Sequence, residues 1–260
     1  MTKNDSTSPA TCAESSTASR APTNNPAFVT THWSVVLAAG RSADTRAGEA
    51  LARLCRLYWY PLYVYVRRRG HRPHDAEDLT QAFFARLLER NWIARAEQAK
   101  GRFRTFLLTT LERFLANEWD KAHAHKRGGD RPLLPLQFDA AETRYGVEPV
   151  DDRTPEQAFE YHWAVSLLDA VLTRLQTEFQ TQDQGALFAA LKPCLTGEGI
   201  GDPYQALAER LGLSETALKV NVHRLRQRYR ALLRAEIADT VASPAEIDAE
   251  MRHLFNVLSR

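Results

Sequence analysis

Phe159, Trp163, Leu167, Val171, Leu175 and Phe179 occupy every fourth position of one stretch of the chain. That spacing lies close to the 3.6-residue period of an α-helix, so the six side chains form one apolar stripe that winds slowly around it. The run is much longer than a usual strand of about five or six residues. Thr154-Pro-Glu-Gln157 stands just before it, a capping box with proline at the first helical position. The chain must therefore arrange itself around one long helix with an apolar stripe to bury.

The remaining sequence has the same character. Trp33, Val36 and Leu37, then Leu51, Leu54, Cys55 and Tyr58, recur at helical spacing. Leu62, Val64 and Val66 alternate, which fits a short strand with Pro61 as a breaker, but periodicity over so short a run does not settle strand against helix. Asp75-Ala-Glu-Asp-Leu-Thr-Gln81 is an acidic first turn leading into Leu79, Phe83, Phe84, Leu87 and Leu88. Carboxylates there complement the exposed N–H groups of a helix start. A polar, basic stretch, Arg90–Arg104, precedes an apolar helix beginning near Thr105 with Phe106, Leu107, Leu111, Phe114 and Leu115. A shorter segment, Ala186–Leu195, stops at Gly197. Ser243-Pro-Ala-Glu246 reads as a second capping box, opening a last helix with Ile247, Met251, Leu254, Phe255 and Leu258. No repeat and no other alternation competes, so the expected fold is all-α.

A formal net charge of +2 on 260 residues identifies no partner by itself. Its distribution is more informative. Residues 33–131 hold 19 basic against 11 acidic side chains, and residues 204–234 hold 7 against 2. Between them residues 132–160 reverse the sign, with 2 basic and 7 acidic; residues 235–260 do so again, with 2 and 5. Two basic blocks split by an acidic linker fit two surfaces that meet one polyanion.

The sharpest local motif lies in the second basic block, Tyr204–His223. Ala208 stands four residues before Gly212, a small residue where two helices touch and a glycine for the turn between them. Leu207, Leu211, Leu213, Leu218 and Val222 take the inward positions, and Ser214 is a natural N-cap. Leu218, Val222, Leu225 and Tyr229 share one face of the second helix. Thr216, Val220, His223 and Gln227 share the other, flanked by Lys219, Arg224 and Arg230. An outward valine among polar and cationic groups suits the major groove, where apolar contact reads a thymine methyl and cations meet phosphate. The plainer reading is a helical hairpin with a basic solvent face.

In the first basic block Trp92, Phe103, Phe106 and Trp119 lie among basic side chains. Flat rings between arginines suit an unstacked base and its backbone, although core packing asks for the same residues. Asp75-Ala-Glu-Asp-Leu-Thr-Gln-Ala-Phe-Phe-Ala-Arg86, Gly101-Arg-Phe-Arg-Thr-Phe-Leu107 and the helix-turn-helix, in this order, resemble bacterial RNA polymerase sigma factors of the extracytoplasmic-function (ECF) group. The resemblance covers roughly residues 30–240. It implies a region 2-like bundle and a region 4-like helix-turn-helix domain joined by the acidic linker and bound to core RNA polymerase. Region 2 would grip the β′ clamp helices and melt the −10 element; region 4 would sit on the β flap and read the −35 element.

The resemblance places Asp75, Glu77, Asp78 and Gln81 at the polymerase contact. It places Trp92, Arg102, Phe103, Arg104, Asn117 and Lys121 at melted promoter DNA. On the second helix of the motif it implies DNA contacts from Thr216, Lys219, Val220, His223, Arg224 and Arg228. Arg113 stands where the family usually has Asn, and Asp120 where a basic residue is usual. The expected organisation is a disordered tail over 1–29, the region 2-like domain over 30–127, a linker over 128–154, the region 4-like domain over 155–240 and a helical extension over 241–260. The extension's acidic side chains, Glu246, Asp248 and Glu250, are candidates to cover a basic surface and mask DNA binding, and the equal alternative is that the helix docks for stability alone.

Other chemistries find no support. Cys12, Cys55 and Cys194 are an odd, scattered set without CxxC spacing, which argues against a disulfide framework and a cysteine zinc site. His71/His74 and His123/His125 lack acidic or cysteine partners, so no metal is expected. Gly197-Glu-Gly-Ile-Gly201 neither follows a strand nor carries Lys-Ser/Thr, so no phosphate loop or other cofactor site is expected. No nucleophile–base set points to an enzyme. With no apolar run of about 20 residues, membrane insertion is not expected, and a cytoplasmic protein is. The expected partners are core RNA polymerase and promoter DNA, with an anti-sigma factor or other regulator as a further candidate. Two rival readings remain: a stand-alone helix-turn-helix regulator with an N-terminal sensing or dimerisation lobe, and an adaptor that binds polymerase without promoter DNA.

Overall fold

The computed structural model describes residues 45–89, 102–124, 139–147, 152–196, 204–241 and 243–259. All regular structure among them is helical, so the protein is all-α. In chain order the α-helices are α1 (Thr45–Arg68), α2 (Pro73–Glu89), α3 (Phe103–Ala124), α4 (Asp139–Val147), α5 (Pro155–Thr181), α6 (Gly185–Leu191), α7 (Pro193–Thr196), α8 (Tyr204–Arg210), α9 (Glu215–Ala238) and α10 (Ile247–Leu258). The expected N-terminal tail and Trp92 lie outside the described residues.

The choice between strand and helix left open at Leu62–Val66 falls to helix: the segment lies in the second half of α1, with Pro61 inside it. Every residue from Tyr58 to Val66 is buried. A helix surrounded by protein is apolar on all sides, so its 3.6-residue period disappears from the sequence. Its neighbours explain the burial. Tyr58 meets Phe103 of α3 edge-on at 5.2 Å, and Tyr60 meets His162 of α5 at 5.3 Å. Tyr63 and Arg67 hold Glu142 of α4, while Tyr145 packs against Tyr63 at 6.3 Å. The linker thus contains a helix docked on α1, which the sequence reading did not anticipate. Packing on every side also offsets the backbone hydrogen bond that Pro61 cannot make.

The helix read from the every-fourth-residue stripe forms as expected. The Thr154 hydroxyl oxygen accepts from the Gln157 N–H at 3.2 Å, and the Thr154 N–H donates to the Gln157 Oε1 at 3.0 Å. Phe159, Trp163, Leu167, Val171 and Leu175 are buried. Among the described residues the most extensive helix–helix packing is α1 against α5. The helices before and after residues 148–151 therefore share one apolar core, which continues through Leu218, Leu232 and Ile237 of α9 to Leu254 of α10.

The second expected capping box does not form. Ser243 makes no side-chain cap bond, and Pro244–Glu246 is a turn of 3₁₀-helix leading into α10. Burial of Ile247 and Leu254 seats this helix against the rest of the molecule. No helix among the described residues is long and apolar enough to cross a membrane.

Candidate nucleic-acid interface

The short hairpin α8–α9 is built as its residues require. Gly212 has φ +65°, in the left-handed region that glycine enters without a Cβ clash. Its N–H bonds to the Glu209 carbonyl at 3.1 Å, and the Leu213 N–H bonds to the Ala208 carbonyl at 2.9 Å. These paired bonds form a Schellman end that stops α8 and turns the chain. Ser214 then accepts from the Ala217 N–H at 3.2 Å and starts α9. Ala208, Leu218, Val222 and Leu225 are buried at the contact, which fixes the outward face.

That face carries Thr216, Lys219, Val220, His223, Arg224 and Gln227, all exposed. Val220 is 42% exposed, one of few large apolar side chains turned to solvent. Lys219 lies 2.6 Å from Glu215 one turn earlier, and this hydrogen bond raises its pKa. Arg224 and Arg230 extend the basic surface. Arg228 and Arg226 point elsewhere. Arg228 makes a two-pronged pair with Glu178 of α5 at 2.7 and 2.8 Å, which holds the Glu178 carboxyl below its ordinary range. Arg226 donates to the Cys194 carbonyl at 3.1 Å. Arg228, expected at DNA, is occupied in fastening α9 to α5.

At the start of α2, Asp75 and Asp78 are exposed and Glu77 is half-buried. Asp78 lies 3.1 Å from the His74 Nδ1. Gln81 departs from expectation: it is buried, with its amide donating to Glu77 at 3.4 Å. The opposite face of α2 explains this, since Ala76, Thr80, Phe83, Phe84 and Leu87 form the core side and Gln81 lies beside Thr80. Asp75 and Asp78 border a cleft of about 870 Å³ that also takes in Arg69, Glu112 and Trp119.

Trp119 is 62% exposed on α3, and Arg113, Asn117 and Asp120 are exposed near it. Lys121 lies in the last turn of the same helix. The start of α3 is different. Phe103 is 2% exposed and packs on Tyr58, so it serves the core. Arg104 is 3% exposed; its guanidinium lies 4.7 Å from the Trp163 ring centroid and its Nε bonds both oxygens of Glu160 at 2.9 and 3.0 Å. Burial lowers the Arg104 pKa and the Glu160 charge opposes that shift. Both residues, expected at DNA, face inward in this arrangement; Arg102, half-buried, pairs with Glu250 at 2.8 Å. Glu250 was not singled out as a contact of these arginines. Its signal was its place on the apolar face of α10, between Ile247 and Leu254.

Burial pushes the Cys55 thiol up to about 12, which makes it inert. Among the described residues no group of three His, Cys, Asp or Glu side chains is placed to hold a metal ion.

No curated protein matches the chain, and neither does any solved structure. A family model does match, over residues 57–124, from the middle of α1 to the end of α3. That family is described as Sigma-70 region 2, and its match to these three helices supports a sigma-70 family factor.

Proposed function

We propose that the protein is a sigma factor of the ECF group that directs core RNA polymerase to specific promoters. The observation that carries this reading is the Sigma-70 region 2 match over the helices that present Asp75, Asp78 and Trp119. In this reading the acidic turn of α2 docks on the basic β′ clamp helices. The C-terminal half of α3, with exposed Trp119 and Asn117 and with Lys121 one turn on, receives melted non-template bases of the −10 element. Stacking on an aromatic ring and pairing of phosphates with cations are the interactions an unstacked strand requires.

The hairpin α8–α9 is the helix-turn-helix that reads the −35 element. Thr216, Lys219, Val220 and His223 stand nearest the base edges, with Arg224 and Arg230 on phosphates. Such a protein does no chemistry of its own; it supplies position and binding free energy to the polymerase. Cytoplasmic localisation and control by an anti-sigma factor or other regulator belong to the same proposal.

The test is run-off transcription by core polymerase plus this protein on a library of genomic fragments. Discrete start sites that depend on the protein support the reading. Promoter-independent DNA binding without polymerase capture favours the stand-alone helix-turn-helix regulator, for which the basic face of α9 would suffice.

A further inference from the structure

The start of α3 is clasped by the chain's C-terminal segment. The Phe103 N–H donates to the Thr240 carbonyl at 3.3 Å. Arg102 Nε lies 2.8 Å from Glu250, and Arg104 is ion-paired with the same carboxylate. Glu250 is 1% exposed on a helix that is otherwise buried only at Ile247 and Leu254. His253, one turn on, bonds Glu160 at 2.8 Å, and Glu160 is the second carboxylate on Arg104. On the other side of α10, Asp248 meets Arg234 of α9 at 2.5 Å.

The charges in this cluster balance because of α10. Arg102 and Arg104 face Glu160 and Glu250, two against two. Removing α10 leaves Glu160 alone against both arginines and restores a positive charge to the start of α3. A buried ion pair is a poor way to gain stability, since well-packed apolar residues of similar volume often do as well or better. What Glu250 does supply is an anion on the residues that would meet a phosphate. Only Ile247 and Leu254 of this twelve-residue helix are fully buried apolar anchors, with Met251, Val257 and Leu258 partly buried beside them, so a ligand that takes over both arginines removes a large part of what holds α10.

We propose that α10 is an intramolecular stand-in for nucleic acid: Glu250 occupies Arg102 and Arg104, masks the cations at the start of α3, and is displaced by DNA. The inference rests on the sigma-factor reading and adds its regulation. Strand binding and α10 docking are then mutually exclusive, and anything that captures α10 raises the affinity for DNA.

The test uses the full chain, a short mixed-sequence single-stranded DNA with a fluorescent label, and capture of core RNA polymerase in parallel. Glu250→Gln removes the charge with little change of shape. It is expected to tighten DNA binding at least about fivefold, the low end of usual coupling between sites. It should also steepen the log–log salt dependence by about 0.7 for each arginine made available. Adding Arg102→Ala should cancel most of that gain. Asp248→Asn, which loosens α10 without touching either arginine, should shift affinity in the same direction by less. Hydrogen exchange should show α10 losing protection when DNA is added to the wild-type chain.

Equal DNA affinity in wild type and Glu250→Gln overturns the inference, whatever the melting temperatures. If polymerase capture persists in that case, the sigma-factor reading stands and only the masking fails. If neither chain captures polymerase nor binds DNA, both fall together.

Discussion

Arg174 of α5 donates to Glu236 of α9 across 3.1 Å, and the same buried carboxylate takes Arg53 of α1. One side chain thus ties the first long helix to two helices of the other segment. Burial lowers the Arg53 pKa, with the neighbouring Arg174 charge acting in the same direction. Glu236→Ala would leave two arginines facing each other without the anion between them. Breaking a fully buried pair costs about 3–5 kcal/mol; both arginines are partly solvated, so about 1–3 kcal/mol is expected here. Chemical denaturation of wild type and variant measures it, and a loss below about 0.5 kcal/mol would show that the clamp contributes little.

Gly212→Ala isolates the backbone cost of the turn. A Cβ at this position meets nothing within 4 Å, so only the positive φ is penalised. The expected loss is about 1–2 kcal/mol, and Gly212→Asn should lose less because asparagine tolerates the left-handed region. Thermal melting of the three chains distinguishes strain from packing.

Charge reversal of Asp75 and Asp78 to lysine probes the polymerase contact. Both side chains are exposed, and since lysine opposes the dipole at this helix start each change should cost no more than about 1 kcal/mol of stability. Capture of core polymerase should fall sharply while the circular dichroism spectrum stays helical. Normal capture by the reversed protein would remove the acidic turn from the interface.

Trp119→Ala should leave the fold intact, because the ring is 62% exposed. Loss of one stacking surface is expected to cost about 1–3 kcal/mol in single-strand binding. Open-complex formation on a duplex promoter, probed by permanganate, should decline, and a pre-melted template should rescue it in part.

On α9 the decisive comparison is Val220→Ala, Arg224→Ala and Arg228→Ala against a randomised upstream element. Val220→Ala should relax preference at one base position, where a well-made base contact is worth about 1–3 kcal/mol. Arg224→Ala should weaken all sequences alike and make the salt slope shallower by about 0.9. Arg228→Ala should leave that slope nearly unchanged and lower stability, since Arg228 is held by Glu178. The Glu178 carboxyl titrates below its unfolded value, so this pair stabilises the fold above the usual glutamate range near 4.3 and is lost as pH falls through the depressed value. An acid titration followed at Glu178 by NMR should show the depressed midpoint, and Arg228→Ala should return it toward the ordinary value.

Much of this protein follows from local chemistry that its sequence displays openly. The stripe at Phe159–Phe179, the Thr154–Gln157 capping box, the Ser214 cap and the Ala208–Gly212 spacing depend on interactions within a few residues, so they are legible without a fold. The outward face of α9 was legible too, because Leu218, Val222 and Leu225 fix which side must be buried. Contacts between distant parts of the chain left no such mark. Whether Tyr58–Val66 was strand or helix was decided by helices packing around it on every side, which erases periodicity. Whether Phe103 and Arg104 faced solvent, and whether the exposed Arg228 was free for a phosphate, was decided by Tyr58, Glu160, Glu250 and Glu178, residues tens to more than a hundred positions away. A basic side chain looks the same in sequence whether it awaits a phosphate or already holds a carboxylate, and only the tertiary structure supplies the partner.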